Sequence, residues 1–147
     1  MLQIVTFPFK IIRMKTVFIS NDILSALSDR SFRLTAERLV CKCGIRADLK
    51  GFDCLTDAVI LYGTELCSGF CEIYRNIAAA RKLKAKSVMR EISYALCQAF
   101  DLAAKLSALV GTEIPESDIH NALVIAYLGK LFKDPDLTIY DDKRKKA

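Results

Sequence analysis

Along most of the chain after Ser20, apolar residues recur three and four positions apart, the spacing of helices with one buried face. A first such segment contains Thr35-Ala36-Glu37-Arg38-Leu39-Val40 and runs to Gly44, a residue suited to the position just past a helix end. A connection over 45–51 follows. From Asp53 to Cys67 the spacing puts Leu55, Ala58, Val59 and Tyr62 on one side, and Ser68-Gly69 ends the run. The pattern then predicts an amphipathic helix over 70–81 carrying Ile73, Tyr74 and Ile77, a tight turn at Leu83-Lys84, and a helix over 85–100. Helical spacing continues over 102–110 and stops at Gly111. Pro115 suits a first helical turn, so a last long helix is expected over 116–132, stopped by Asp134-Pro135-Asp136. Only Gln3 to Ile19 is β-prone, through Val5, Thr6, Phe7, Thr16, Val17, Phe18 and Ile19.

No repeat or low-complexity linker interrupts this series, so the chain reads as all-α with one helical domain over 31–133. An N-terminal extension over 1–30, β-like or disordered, precedes it, and a flexible basic tail over 134–147 follows. Met14-Lys15 within the extension offers a second candidate start, which would leave residues 1–13 without a fold of their own. Intact mass of the natively expressed protein showing Met1 would exclude it.

Composition narrows the class. With 52% hydrophobic and 27% charged residues, the chain belongs with globular proteins rather than disordered or fibrous ones. Charges break every apolar stretch before the ~20 residues a transmembrane helix needs. Lys10, Arg13 and Lys15 interrupt the N-terminal run and no small-residue cleavage site follows, so a cytoplasmic protein is expected. Its thiols, Cys41, Cys43, Cys54, Cys67, Cys71 and Cys97, are then expected reduced and mostly buried, with Cys67 and Cys71 sharing a helical face. The single histidine, His120, is too far along the chain to complete a zinc set, so neither a metal nor a cofactor is expected.

The formal charge of +5 matters less than its distribution. Between residues 75 and 90 stand Arg75, Arg81, Lys82, Lys84, Lys86 and Arg90, with no acid among them. The run Lys143-Arg144-Lys145-Lys146 follows Asp141-Asp142 without periodic apolar support and reads as a solvated tail. The central cluster lies between two amphipathic segments. On a wheel of 100° per residue, Ala85, Val88, Met89, Ile92, Ala95, Leu96 and Ala99 gather on one side as a core stripe. Opposite them stand Lys86, Ser87, Arg90 and Tyr94, flanked by Ser93 and Cys97. An apolar back with long donors in front is what a helix entering the DNA major groove requires. Arg90 is the natural base reader, because a guanidinium can bond guanine through two parallel bonds. Ile77-Ala78-Ala79-Ala80 lets a second helix cross closely, and Arg81, Lys82 and Lys84 fall at the turn, where a helix-turn-helix meets phosphates. The plainer alternative is a helical pair with a basic surface.

A resemblance bears on that choice. Gly44-Ile45-Arg46-Ala47-Asp48-Leu49-Lys50-Gly51-Phe52 resembles the Gly-Ile/Val-Pro-Ala-His-Ile-Lys-Gly-Tyr signature of the master sporulation response regulators of spore-forming bacteria, in their C-terminal DNA-binding effector domain. Leu55 to Leu61 is similar to that family's Leu-Arg-Glu-Ala-Ile segment, and Ile73-Tyr74-Arg75-Asn76-Ile77-Ala78 to its Leu-Tyr-Pro-Asp-Ile-Ala. Ala85-Lys86-Ser87-Val88-Met89-Arg90-Glu91-Ile92 follows Ala-Ser-Arg-Val-Glu-Arg-Ala-Ile, and Ile114-Pro115-Glu116-Ser117-Asp118 looks like Pro-Thr-Asn-Ser-Glu. The likeness runs from about Ser31 to Phe132. It implies a six-helix effector domain containing a helix-turn-helix, sequence-specific binding of double-stranded promoter DNA as tandem copies or a homodimer, and contact with an RNA polymerase sigma factor.

The recognition positions depart from the family. It carries Arg, Glu, Arg, Arg and His where this chain has Ser87, Met89, Arg90, Ser93 and Tyr94, so only Arg90 is retained. A lost base-reading arginine removes roughly 1–3 kcal/mol, so a different site or more backbone contact is expected. The family's phosphoacceptor receiver, a domain of roughly 120 residues, has no counterpart in the stretch preceding the match, which implies a stand-alone effector.

A non-enzymatic interaction module that modulates a transcription regulator or sigma factor is the competing reading. No catalytic residue is expected: there is no Gly-rich phosphate loop, and His120 reads as a helix-end residue. Asp48, Asp53 and Asp57 read as turn, capping and surface residues, and Cys97 as a candidate redox-sensitive contact beside the reading face.

Overall fold

The computed structural model describes residues 2–5 and 17–135. Thr6, Phe7, Lys10, Arg13, Met14, Lys15 and Thr16 lie outside them, as do the basic run Lys143-Arg144-Lys145-Lys146 and nearly all of the expected tail. Strand β1 (Leu2–Val5) pairs antiparallel with β2 (Val17–Ser20), Leu2 opposite Ser20 and Val5 opposite Val17. Then come α1 (Asn21–Ser28), α2 (Arg30–Lys42), α3 (Lys50–Gly63), α4 (Phe70–Arg81), α5 (Ala85–Gln98), α6 (Leu102–Val110), a 3-10 turn (Glu116–Asp118) and α7 (Asn121–Lys133). The fold is all-α.

The helical body begins at Asn21 rather than at residue 31. The Ser20 hydroxyl accepts from the Asp22 and Ile23 amides and starts α1, whose Ile23, Ala26 and Leu27 are buried. Asp29 ends α1 and caps α2, its carboxylate accepting from the Phe32 amide at 2.9 Å. Among the described residues this helix of 8 residues adds a seventh α-helix to the six expected; it is too short to announce itself by periodicity.

α3 is the axis of the core. Phe52, Cys54, Leu55, Ala58, Val59, Ile60 and Leu61 are all buried, a helix apolar on nearly every side because α1, α2, α4, α5 and α7 surround it. Each such Leu or Ile contributes about 1.5–3 kcal/mol by leaving water. On the α7 side, Leu128 and Ile125 close the core, and Phe32 of α2 meets Phe132 edge-on at 5.5 Å. On the other side, Gly51 lets the first turn of α3 lie directly on α5. A Cβ there would strike the Glu91 carbonyl oxygen and the Ala95 Cβ.

The end of α2 meets the periodic expectation and several other helix ends differ from it. α2 stops at Lys42 and Gly44 takes φ 80°, as a residue past a helix end should. The third helix ends at Gly63, not Cys67. The Thr64 hydroxyl donates to the Ile60 carbonyl at 2.8 Å and Glu65 turns left-handed at φ 58°, which brings Phe70 onto the Tyr62 ring. α5 stops at Gln98 rather than Phe100, because Ala99 is extended and Asp101 is left-handed at φ 57°. The expected helix over 116–132 is broken after the 3-10 turn. His120 is extended there, and its Nδ1 accepts from the Leu123 amide at 3.2 Å, so it is the N-cap of α7.

Candidate nucleic-acid interface

The expected reading segment is α4, a turn of three residues (Lys82-Leu83-Lys84) and α5. Lys82 is left-handed at φ 60°, and the Leu83 amide donates back to the Ala78 carbonyl at 2.8 Å. That bond closes the end of α4 and reverses the chain. α5 then turns Val88, Ile92, Ala95 and Leu96 into the core, as the wheel requires. Lys86, Arg90 and Tyr94 are exposed on the opposite side, with Ser87 half-buried beside them. Lys82 and Lys84 are exposed in the turn. The turn and the outward side of α5 thus present Lys82, Lys84, Lys86, Arg90 and Tyr94 to solvent, and the only acid of α5, Glu91, is half-buried on the flank against α3.

Several sequence-based placements change. Met89 leaves the core stripe and is 42% exposed. The Asn121 amide of α7 donates to the Met89 carbonyl at 3.0 Å, and the Ser93 hydroxyl donates to Asn121 Oδ1 at 3.2 Å. Ser93, a candidate reader, thus faces α7. Arg81, a candidate phosphate contact, turns inward instead. Its Nε and Nη2 donate to Asp57 at 2.5 and 3.2 Å.

Asp57 is a further correction. It was expected on the surface and is 2% exposed. Arg33 of α2 binds the same carboxylate at 2.8 Å while donating to the Leu27 carbonyl at 3.1 Å. Two guanidiniums around one buried carboxylate supply the charge-assisted bonds that offset its desolvation. The carboxylate raises the Arg81 pKa further, through its hydrogen bonds first. The sequence held a signal that periodicity passed over: Thr56-Asp57 are the only polar residues between Cys54 and Leu61. The expected turn role fits Asp48, whereas the capping role does not fit Asp53: Leu49 is the N-cap of α3, which has no side-chain cap bond. Asp48 pairs with Arg46 at 2.7 Å in the exposed α2–α3 connection, and that hydrogen bond holds its carboxyl below the usual range. Asp53 is in the first turn of α3.

Thiol burial is also uneven. Cys43 and Cys54 are buried, but Cys41, Cys71 and Cys97 are exposed, so the set is not mostly buried. Cys67 and Cys71 do not share a helical face, because Cys67 stands in the connection before α4. Among the described residues no group of three or more His, Cys, Asp or Glu side chains could hold a metal ion. Burial pushes the Cys43 thiol from 9.0 up to about 12. The unfolded chain then ionises Cys43 above about pH 9 while the folded chain keeps the proton, so its contribution to stability is intact below pH 9 and lost as pH rises toward 12. In urea titrations across this window, wild type should lose stability faster than Cys43→Ala; parallel curves would contradict it. Iodoacetamide should label Cys41, Cys71 and Cys97 of the native protein at pH 8, and Cys43 only after unfolding.

Beside the reading segment, a cleft of about 890 Å³ opens between α4, α5, α6 and the start of α7. Tyr74, Met89, Leu96, Leu102 and Ile119 line it. Among the described residues no helix is long and apolar enough to cross a membrane. Comparison with protein-family models, with curated proteins and with solved structures finds no match to this chain.

Proposed function

We propose that this chain is a sequence-specific DNA-binding transcriptional regulator, with α4, the turn and α5 acting as a helix-turn-helix on duplex DNA. The observation that carries the reading is the outward side of α5, where Lys86, Ser87, Arg90 and Tyr94 stand opposite a buried stripe and next to Lys82 and Lys84. The likeness of residues 31–132 to the sporulation-regulator effector domain supports the same assignment. In this proposal Arg90 reads a base edge, Ser87 and Tyr94 add hydrogen bonds, and the lysines meet phosphates. Arg81 and Ser93 leave the contacting set because Asp57 and Asn121 engage them. A homodimer on repeated sites, a sigma-factor contact, a sporulation role and a cytoplasmic location belong to the same proposal.

Selection from random duplexes across a salt series tests it. A motif should emerge, and the logarithm of affinity should fall against that of salt with a slope of roughly −3 if Lys82, Lys84 and Lys86 each neutralise a phosphate. Absence of any enriched motif at moderate salt would remove the sequence-specific claim. The cleft between α4 and α7, lined by apolar side chains together with Asp101, Glu116 and His120, favours a second reading, an interaction module that binds protein without reading bases. In that case a protein complex would survive Arg90→Ala and substitution of the turn lysines.

A further inference from the structure

Among the described residues Asp57 is the only buried acidic side chain, and its bonds gather four helices. Arg33 brings α2 and, through the Leu27 carbonyl, the end of α1; Asp57 itself belongs to α3; Arg81 is the last residue of α4. Replacing a buried ion pair by apolar groups of similar volume is often neutral or stabilising, so stability alone is a poor reason for such a triad. Its position suggests another. Arg81 directly precedes left-handed Lys82, and three residues later α5 begins. A guanidinium held by two parallel bonds has fixed direction as well as distance. Where it is fixed, the turn has little freedom left.

We propose that Asp57, acting through Arg81, is a positioning residue that sets the turn lysines against the reading face of α5. Arg81 is held away from DNA while Lys82 and Lys84 stay exposed in the turn, and Arg33 holds the same carboxylate through Oδ1. This inference rests on the DNA-binding reading, but its structural half can be measured without DNA.

Asp57→Asn and Arg81→Lys are the variants, used in the full chain under conditions where thermal unfolding shows each folded. Amide hydrogen exchange at Leu83, whose N–H closes the turn, should speed up about tenfold in both, as for loss of a charge-assisted bond. The amides of Val124 and Leu128 in α7 should change far less. Affinity for the selected duplex should fall about tenfold in both variants with a flatter salt slope, since misplaced turn lysines neutralise fewer phosphates.

The result that overturns the proposal is tighter binding and a steeper salt slope in Asp57→Asn, which would make Arg81 a phosphate contact that Asp57 restrains. Wild-type affinity in Arg81→Lys overturns it too, because lysine keeps the charge but not the two-bond geometry. If the wild-type protein binds no duplex, the functional reading fails, and exchange at Leu83 still decides the structural half: no change there, or equal loss in α7, rejects it. Should Asp57→Asn not fold, Arg81→Lys carries the test.

Discussion

Gly51→Ala should cost this protein a large share of its stability, about 3 kcal/mol. The added methyl meets backbone and Cβ atoms of α5 that have no side-chain freedom with which to yield, so α5 must move off α3. Overpacking of this kind costs about 1–3 kcal/mol before repacking. Any displacement also reopens part of the burial of Val88, Ile92 and Ala95, now all 0% exposed. Alanine is the better helix former by about 1 kcal/mol, which opposes the loss without cancelling it. Against a total of about 5–15 kcal/mol, the urea midpoint should drop clearly. Gly69→Ser is the matched control: a Cβ there meets nothing within 4 Å, and serine offers α4 an N-cap hydroxyl, so its midpoint should hold or rise. An unmoved midpoint in Gly51→Ala would mean that α3 and α5 are not in contact at this point.

The second large effect concerns binding. Arg90→Ala should lose about 1–3 kcal/mol at a single base pair of the selected site, roughly tenfold to a hundredfold in affinity. The side chain is exposed, so stability should stay within about 0.5 kcal/mol. Lys84→Ala should instead weaken every duplex about equally and flatten the salt slope by about 1. Titrating both variants against the selected duplex and a scrambled one separates the roles. Equal losses on the two duplexes for Arg90→Ala would strip Arg90 of base reading and leave it a phosphate contact.

Legibility in the sequence followed the range of the interaction. Phe70–Arg81 and Leu102–Val110 match the periodic expectation end to end, since amphipathic spacing and flanking turn residues are local. α3 lost its last expected turn to a threonine hydroxyl, and the last helix lost its first to a histidine cap. In both, a side chain offered the backbone an alternative hydrogen bond that apolar spacing does not register. Met89 was misplaced because a wheel gives a direction but not what lies in that direction.

The surface around Arg90 divides along the same line. From the sequence alone came an all-α chain, a basic stretch with no acid from Arg75 to Arg90, and an outward face on α5 bearing Lys86, Ser87, Arg90 and Tyr94. Helical geometry determines those, as each depends on residues a few positions apart. Which cations remain outside was decided by tertiary contact. Arg81 pairs with a carboxylate 24 positions earlier, and Ser93 with an amide 28 positions later. No spacing rule reaches that far. Burial made the difference for Asp57: once α1, α2 and α4 close around α3, a carboxylate there must be paired, and Arg33 and Arg81 are the cations within reach.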